Sequence, residues 1–330
     1  MRVAIFGCNN YDRKYFLEDS LHTKHELVFF ETRLNELTAH FAAGFGCACI
    51  FANDNLNAKA LEIVSKGGTK LVALRSAGFD NVDLHAADAL GIRVVHVPSF
   101  SPNAIAEHAV SLILTLNRKI HLSYNRIRAQ NFSLNGLVGF DLRDKVVGIM
   151  GTGRIGAIMA RIMLGFDCEV IAHDVIHNPL LENIGVTYVS LDKLLKSSDI
   201  ISLHLPLNPK TRNILDAKAL SLVKPGMMLI NTARGALIDT KELINCLKSG
   251  AIGYAGLDVY EKEEGLFFED HSDDIIQDDM LCRLLAFPNV VLTSHQAFLT
   301  EEALINIAHT TLKSIQDFET GAKLLHEISY

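Results

Sequence analysis

The chain has 330 residues, 49% of them hydrophobic, and a formal net charge of −7 at neutral pH. That length exceeds what one typical core organises, so two domains are expected. The acidic balance argues against an electrostatic grip on nucleic acid or anionic lipid.

The six cysteines (Cys8, Cys47, Cys49, Cys168, Cys246 and Cys282) make no C-x-x-C pair and no zinc spacing. They read as free, mostly buried thiols of a reducing compartment, and no metal is expected. The opening Met1-Arg2-Val3-Ala4-Ile5-Phe6 run is too short for a signal peptide, and no apolar span reaches membrane length. A cytoplasmic protein without membrane contact is the expectation.

From the N-terminus, short apolar runs alternate with helical stretches: Val3–Phe6, Leu27–Phe30, Cys47–Phe51, Leu71–Leu74 and Ile92–Val97. Five such runs predict a parallel α/β domain. Two prolines in Val97-Pro98-Ser99-Phe100-Ser101-Pro102 then punctuate the chain, the second well placed to open a helix. One long helix is predicted from Asn103 to about Asn131. Its first half is apolar nearly all round, which predicts burial between two surfaces, at a domain junction or a subunit contact.

Residues 146–156 read Val-Val-Gly-Ile-Met-Gly-Thr-Gly-Arg-Ile-Gly, an apolar strand running into Gly151, Gly153 and Gly156 in G-x-G-x-x-G spacing. The first glycine permits the tight turn, the second leaves room for a diphosphate, and the third lets helix pack close on strand. An apolar helical pattern follows, and its N-terminus would face the anion. A second strand, Glu169–His173, ends in Asp174, near the offset expected of a ribose-binding acid. The next residues, Val175-Ile176-His177, offer no arginine for a 2′-phosphate, so NAD is favoured over NADP.

Further strand signals at Ile200, Met227, Gly253 and Val290 complete six strands of a dinucleotide fold that closes near Phe298. The tail from Glu301 to about Phe318 has helical period and is expected to pack back on the first domain. This places residues 1–99 and 299–330 in a discontinuous domain and 100–298 in the dinucleotide domain. Between Glu261 and Asp279 lie nine acids against one lysine, mostly a solvated loop.

Hydride transfer between a dinucleotide and a keto acid needs a cation for the carboxylate, a proton donor for the carbonyl oxygen and a group that tunes the donor. Arg234 ends an apolar strand at an Arg-Gly turn and could grip a carboxylate with two donors. Glu263 follows Asp258 by five residues, with Glu261 and Glu264 equally eligible on composition. His295 stands where a parallel strand delivers side chains to a ligand crevice. His108 and His204, in apolar settings, are further candidates for lining it.

The segments G-T-G-R-I-G, Asp174, I-N-T-A-R-G, G-L-D-V-Y-E-K-E and T-S-H-Q-A-F occur in this order across essentially the whole chain. In that order and spacing they resemble the D-isomer-specific 2-hydroxyacid dehydrogenases. The stretches Leu74–Asp83, Val97–His108 and Leu266–Asp270 look like the fermentative D-lactate dehydrogenases of that family.

The resemblance implies two α/β domains with a cleft between them: a Rossmann NAD-binding domain and a flavodoxin-like discontinuous substrate domain. It implies that Arg234, Glu263 and His295 are catalytic, that Ala77 and Gly78 offer backbone N–H groups to a substrate carboxylate, and that Phe100 and Phe298 wall the pocket. Phe100 departs from relatives that carry tyrosine there. For NAD it points to Gly151, Gly153, Arg154, Ile155 and Gly156 at the diphosphate and to Asp174 at the ribose. Leu205, Pro206 and Thr211 would lie along the adenosine side, and Thr232, Ala233 and Asp258 near the nicotinamide.

The activity implied is NADH-dependent reduction of pyruvate to D-lactate by a homo-oligomer. Two rival readings are a dehydrogenase for another D-2-hydroxy acid and an NAD-sensing binding protein on the same fold.

Overall fold

The computed structural model describes residues 1–20 and 24–328. By contacts the chain divides into two compact units, Met1–Ser101 with Leu299–Tyr330, and Pro102–Phe298.

In the first unit five strands, β1 (Arg2–Ile5), β2 (Glu26–Phe29), β3 (Cys47–Ile50), β4 (Leu71–Leu74) and β5 (Arg93–Val95), form a parallel sheet of order β2-β1-β3-β4-β5. Its central strands are unbroken apolar runs because helices cover both faces. Alternate residues separate into two cores. Ala4, Ala48, Ile50, Val72 and Leu74 face Leu61 and Val64, whereas Val3, Ile5, Cys47, Cys49, Leu71 and Ala73 face Ala308, Leu312 and Ile315. The last three belong to the Glu301–Thr320 helix, so the chain's tail is part of this unit's core.

The second unit holds β6 (Val146–Met150), β7 (Glu169–His173), β8 (Thr187–Tyr188), β9 (Ile200–Leu203), β10 (Met227–Asn231), β11 (Ile252–Leu257) and β12 (Val290–Leu292). They form a parallel sheet of order β12-β11-β10-β9-β6-β7-β8, whose order reverses between β6 and β9. Ligands of such sheets bind outside the carboxyl ends of the strands at that reversal. The sheet has seven strands where six are expected from the sequence, because the two-residue β8 is too short to carry a periodic pattern.

Two further expectations need correction. The predicted helix from Asn103 to Asn131 is two helices, Pro102–Arg118 and Ile120–Arg128, broken at Lys119, which takes the left-handed conformation (φ 51°). The break is held from outside the helix. The Asn117 side chain donates to the Phe140 carbonyl and accepts from the Phe140 amide at 2.7 and 2.8 Å, while Lys119 Nζ reaches the Val138 carbonyl. The Pro102–Arg118 helix buries Leu112, Ile113 and Leu116 in this unit's core, and Gly256 of β11 lets it approach closely, since a Cβ there would lie 3.0 Å from that of Leu112.

The second correction is to the boundary, which lies at Ser101/Pro102, two residues beyond the predicted one. The Phe100 carbonyl is tied to Asn306 Nδ2 (2.8 Å) of the Glu301–Thr320 helix, whereas Pro102 already opens the next unit's helix. Among the described residues no helix is long and apolar enough to cross a membrane.

Candidate active site

At the end of β6 the three glycines meet three different demands. Gly151 sits at φ +92° and packs on the chain after β9, where a Cβ would come within 2.6 Å of the His204 carbonyl oxygen. Gly156 presses on the same turn, and a Cβ there would lie 1.9 Å from the Gly151 oxygen. Gly153 meets nothing within 4 Å, so its lack of a side chain serves space outside the protein. It caps the Arg154–Gly165 helix, whose first N–H groups, including those of Arg154 and Ile155, are unused within the helix and suit an anion.

Asp174 follows β7. Its Oδ2 accepts from the Thr152 amide (2.6 Å) and hydroxyl (3.1 Å), and its Oδ1 from the Ile176 amide (3.2 Å). Burial works against its charge, but these donors outweigh it and hold the carboxyl below the ordinary range. An ionised acceptor therefore stands beside the glycine turn. Sequence reasoning missed its supports: the Tyr188 hydroxyl donates to Thr152 Oγ1 (2.9 Å) and accepts from the Asn178 amide (2.9 Å).

After β9, Leu205 and Pro206 begin a loop closed by Thr211, whose hydroxyl donates to the Pro206 carbonyl at 2.6 Å. At the end of β10 the Thr232 hydroxyl is buried and finds no hydrogen-bond partner among the described residues. The open space at Gly153, the ionised Asp174 and the orphaned Thr232 hydroxyl together suit a dinucleotide.

Arg234 lies in the turn after β10. The buried Asn231 side chain shapes that turn, donating to the Arg234 carbonyl (2.9 Å) and accepting from the Ala233 amide (3.0 Å). Gly235 then seats the turn against the segment after β11, since a Cβ there would fall 2.0 Å from the Tyr260 carbonyl carbon. This contact explains the Arg-Gly pair: a larger residue would push the Arg234 turn away from the Tyr260–Glu261 segment that leads to Glu263.

Glu263 spans two donors. Its Oε1 accepts from the Tyr260 amide at 2.8 Å and its Oε2 from Nδ1 of His295 at 2.7 Å. Glu261, an equal candidate by sequence, instead accepts from the Thr240 hydroxyl at 3.0 Å. His295 adopts a left-handed backbone (φ 49°), and its amide donates to the Asp258 carbonyl at 2.7 Å. The ring of Phe268 lies 5.9 Å from the imidazole, and the Phe268 amide donates to the Ser294 hydroxyl at 3.3 Å. Most of the acidic stretch around it is exposed, as expected, but Phe267 is buried in the core.

Asp258 is completely buried, and its carboxylate accepts from Thr293 Oγ1 (2.6 Å) and from the amides of Gln296 and Ala297 (both 2.9 Å). His108 reaches the same place from the Pro102–Arg118 helix, and Phe298, directly after Ala297, is buried. His204 is partly exposed; its Nε2 lies 2.9 Å from Ser202 Oγ, and desolvation pushes its pKa down to about 4.

Ala77, Gly78 and Phe100 lie in the first unit. The loop after β4 is anchored by Arg75, a buried guanidinium 2.8 Å from Asp12 that also donates to the Phe6 carbonyl. The Ala77 and Gly78 carbonyls are taken by His96 Nδ1 (2.9 Å) and the Ser76 hydroxyl (2.8 Å).

A parallel sheet with this strand order, a glycine-rich turn at its reversal point and a histidine–carboxylate pair in the segments that follow two neighbouring strands define an NAD-linked dehydrogenase class. The D-isomer specific 2-hydroxyacid dehydrogenase NAD binding domain matches residues 110–297. The chain is 51% identical over 326 residues to a 2-hydroxyacid dehydrogenase homolog of Zymomonas mobilis, covering 98% of each. It is 47% identical to the D-lactate dehydrogenase of Escherichia coli, covering 99% of this chain and all of that one. Among solved structures, the pyruvate reductase of Chlamydomonas reinhardtii superimposes with a TM-score of 0.94 at 45% identity and 98% coverage of both chains. The protein belongs to the D-isomer specific 2-hydroxyacid dehydrogenases, and its cofactor is NAD.

Proposed function

We propose that the protein reduces pyruvate to D-lactate with NADH. The observation that carries this reading is the 2.7 Å bond between His295 Nδ1 and Glu263 Oε2, which fixes the ring so that, as the imidazolium, it can give its Nε2 proton to a ketone oxygen. NADH, when bound, supplies the hydride to the carbonyl carbon. Arg234 holds the substrate carboxylate and polarises the carbonyl, a contribution that reaches a few kcal/mol in a water-excluded site. Of the residues that the family resemblance implies for the substrate, Ala77, Gly78 and Phe100 lie in the first unit and Phe298 in the second.

In the same reading Asp174 binds the adenosine ribose, Thr232, Ala233 and Asp258 lie near the nicotinamide, and Leu205, Pro206 and Thr211 flank the adenosine. The names carried by the Escherichia coli and Chlamydomonas relatives support pyruvate as substrate. A cytoplasmic homo-oligomer serving fermentation fits the free cysteines and the family.

The test is NADH consumption with a panel of 2-keto acids, followed by chiral analysis of the product. Pyruvate should have the highest kcat/KM and give D-lactate. A higher value for a longer or branched keto acid would transfer the assignment to another D-2-hydroxy acid. No turnover with tight NADH binding would favour a sensor.

A further inference from the structure

We propose that His108 is a positioning residue whose Nε2–H, relayed through the Thr293 hydroxyl to the Asp258 carboxylate, holds the turn that carries His295. The proposal rests on the reading of His295 as proton donor.

The direction of each hydrogen bond follows from the donors available. Thr293 Oγ1 lies 2.6 Å from Asp258 Oδ1, and a carboxylate can only accept, so the single hydroxyl proton points to Asp258. Towards His108 Nε2, 3.0 Å away, the hydroxyl must therefore accept. This assigns the proton to Nε2 of His108, which also lies 3.4 Å from Asp258 Oδ1. The relay is charge-assisted at its end: burial disfavours the Asp258 anion, and the bonds from His108, Thr293 and Ala297 together hold its carboxyl below the usual range.

Asp258 in turn organises the His295 turn from within. Its carbonyl takes the His295 amide, and its carboxylate takes the amides of Gln296 and Ala297. The turn needs such support, because His295 is a non-glycine residue at φ 49°, a conformation that persists only when its surroundings impose it. His108 comes from the Pro102–Arg118 helix, buried in the unit's core, and so ties the turn to a rigid element.

The test compares steady-state kinetics of the full chain, using whichever 2-keto acid the wild type reduces, for His108→Leu, His108→Gln, Thr293→Val and the Leu/Val double variant. His108→Leu should lower kcat about tenfold, with the keto-acid KM within about twofold, since orientation and not binding is lost. His108→Gln places an N–H near the former Nε2 and should recover kcat to within about threefold. Thr293→Val should match His108→Leu, and the double variant should be no slower than the slower single, as for two links of one chain.

Near-normal kcat in His108→Leu, failure of glutamine to rescue, a loss confined to KM, or multiplying losses would each overturn the relay. If His108→Leu does not fold, Thr293→Val and His108→Gln carry the test: slow turnover in the first with fast turnover in the second supports the relay, and equal rates overturn it. His295→Gln is measured alongside. Near-normal kcat there overturns the proton-donor reading and the relay with it, whereas its collapse beside an unaffected His108→Leu overturns the relay alone.

Discussion

Oε2 of Glu263 accepts from Nδ1 of His295 at 2.7 Å while the other oxygen of the same carboxylate is held by the Tyr260 amide at 2.8 Å. Both oxygens thus accept, a task glutamine cannot perform. In Glu263→Gln the amide NH₂ must face either the Tyr260 N–H or Nδ1 of His295, and the second choice forces the imidazole proton onto Nε2. The expected result is a fall in kcat of about 10²-fold in both directions, the scale of a positioned general acid–base. Glu261→Gln, whose parent side chain bonds Thr240 instead, should stay near the wild-type rate. The reverse ranking would move the role to Glu261.

The glycines of the fingerprint make separable predictions. Gly156→Ala brings a Cβ within 1.9 Å of the Gly151 backbone oxygen, so the turn must shift and thermal stability should drop. Gly153→Ala meets only open space and should leave Tm almost unchanged while raising the Kd for NADH at least tenfold, about 1.4 kcal/mol. Calorimetry and NADH titration read the two effects. Unaltered NADH affinity in Gly153→Ala would place the diphosphate elsewhere.

Asp174 is an ionised acceptor fixed by Thr152, so it should repel a 2′-phosphate at the ribose position. Wild type should prefer NADH to NADPH in kcat/KM, and Asp174→Ala should narrow the ratio. Equal constants for both cofactors in the wild type would remove Asp174 from the ribose.

The parts of this site that could be read from the chain are those written in contiguous residues. Gly151 to Gly156, Arg234-Gly235 and His295 each follow closely on a strand, and the strand pattern itself locates them. Composition alone cannot choose Glu263 over Glu261, because three acids lie within four residues; the motif resemblance points to Glu263, and the Tyr260 amide is what holds its carboxylate. The break at Lys119 depends on Asn117 meeting Phe140, and the His108 contact joins residues 185 apart in sequence. Periodicity carries no trace of either.

Arg234→Lys keeps the charge but not the planar, two-donor fork. Asn231 and Gly235 hold the backbone of this turn at a defined place, so a shorter set of donors cannot be compensated by moving the chain. A loss in kcat/KM of at least about 10²-fold is expected, in line with the removal of a main electrostatic contact to the developing charge. Near-normal kcat/KM for the lysine variant would make Arg234 a turn residue and place the carboxylate clamp elsewhere.

His204 sets a pH dependence of stability. Burial lowers its pKa to about 4, against about 6.5 for a free histidine, so the folded protein binds fewer protons than the unfolded chain between these values. Its contribution to stability is complete above about pH 6.5 and is lost as pH falls through about 4. With the side chain partly exposed, the full shift is discounted to on the order of 2 kcal/mol. His204→Gln keeps a polar group beside Ser202 Oγ and removes the titration, so its urea midpoint should fall less steeply than the wild type's from pH 6.5 to 4. Asp54 runs the other way in this window, burial having pushed it up to about 6, so that its stabilisation is lost as pH rises. Because Asp54 is common to both proteins, the difference between their curves isolates His204. Parallel curves would show that the imidazole is not held neutral by the fold.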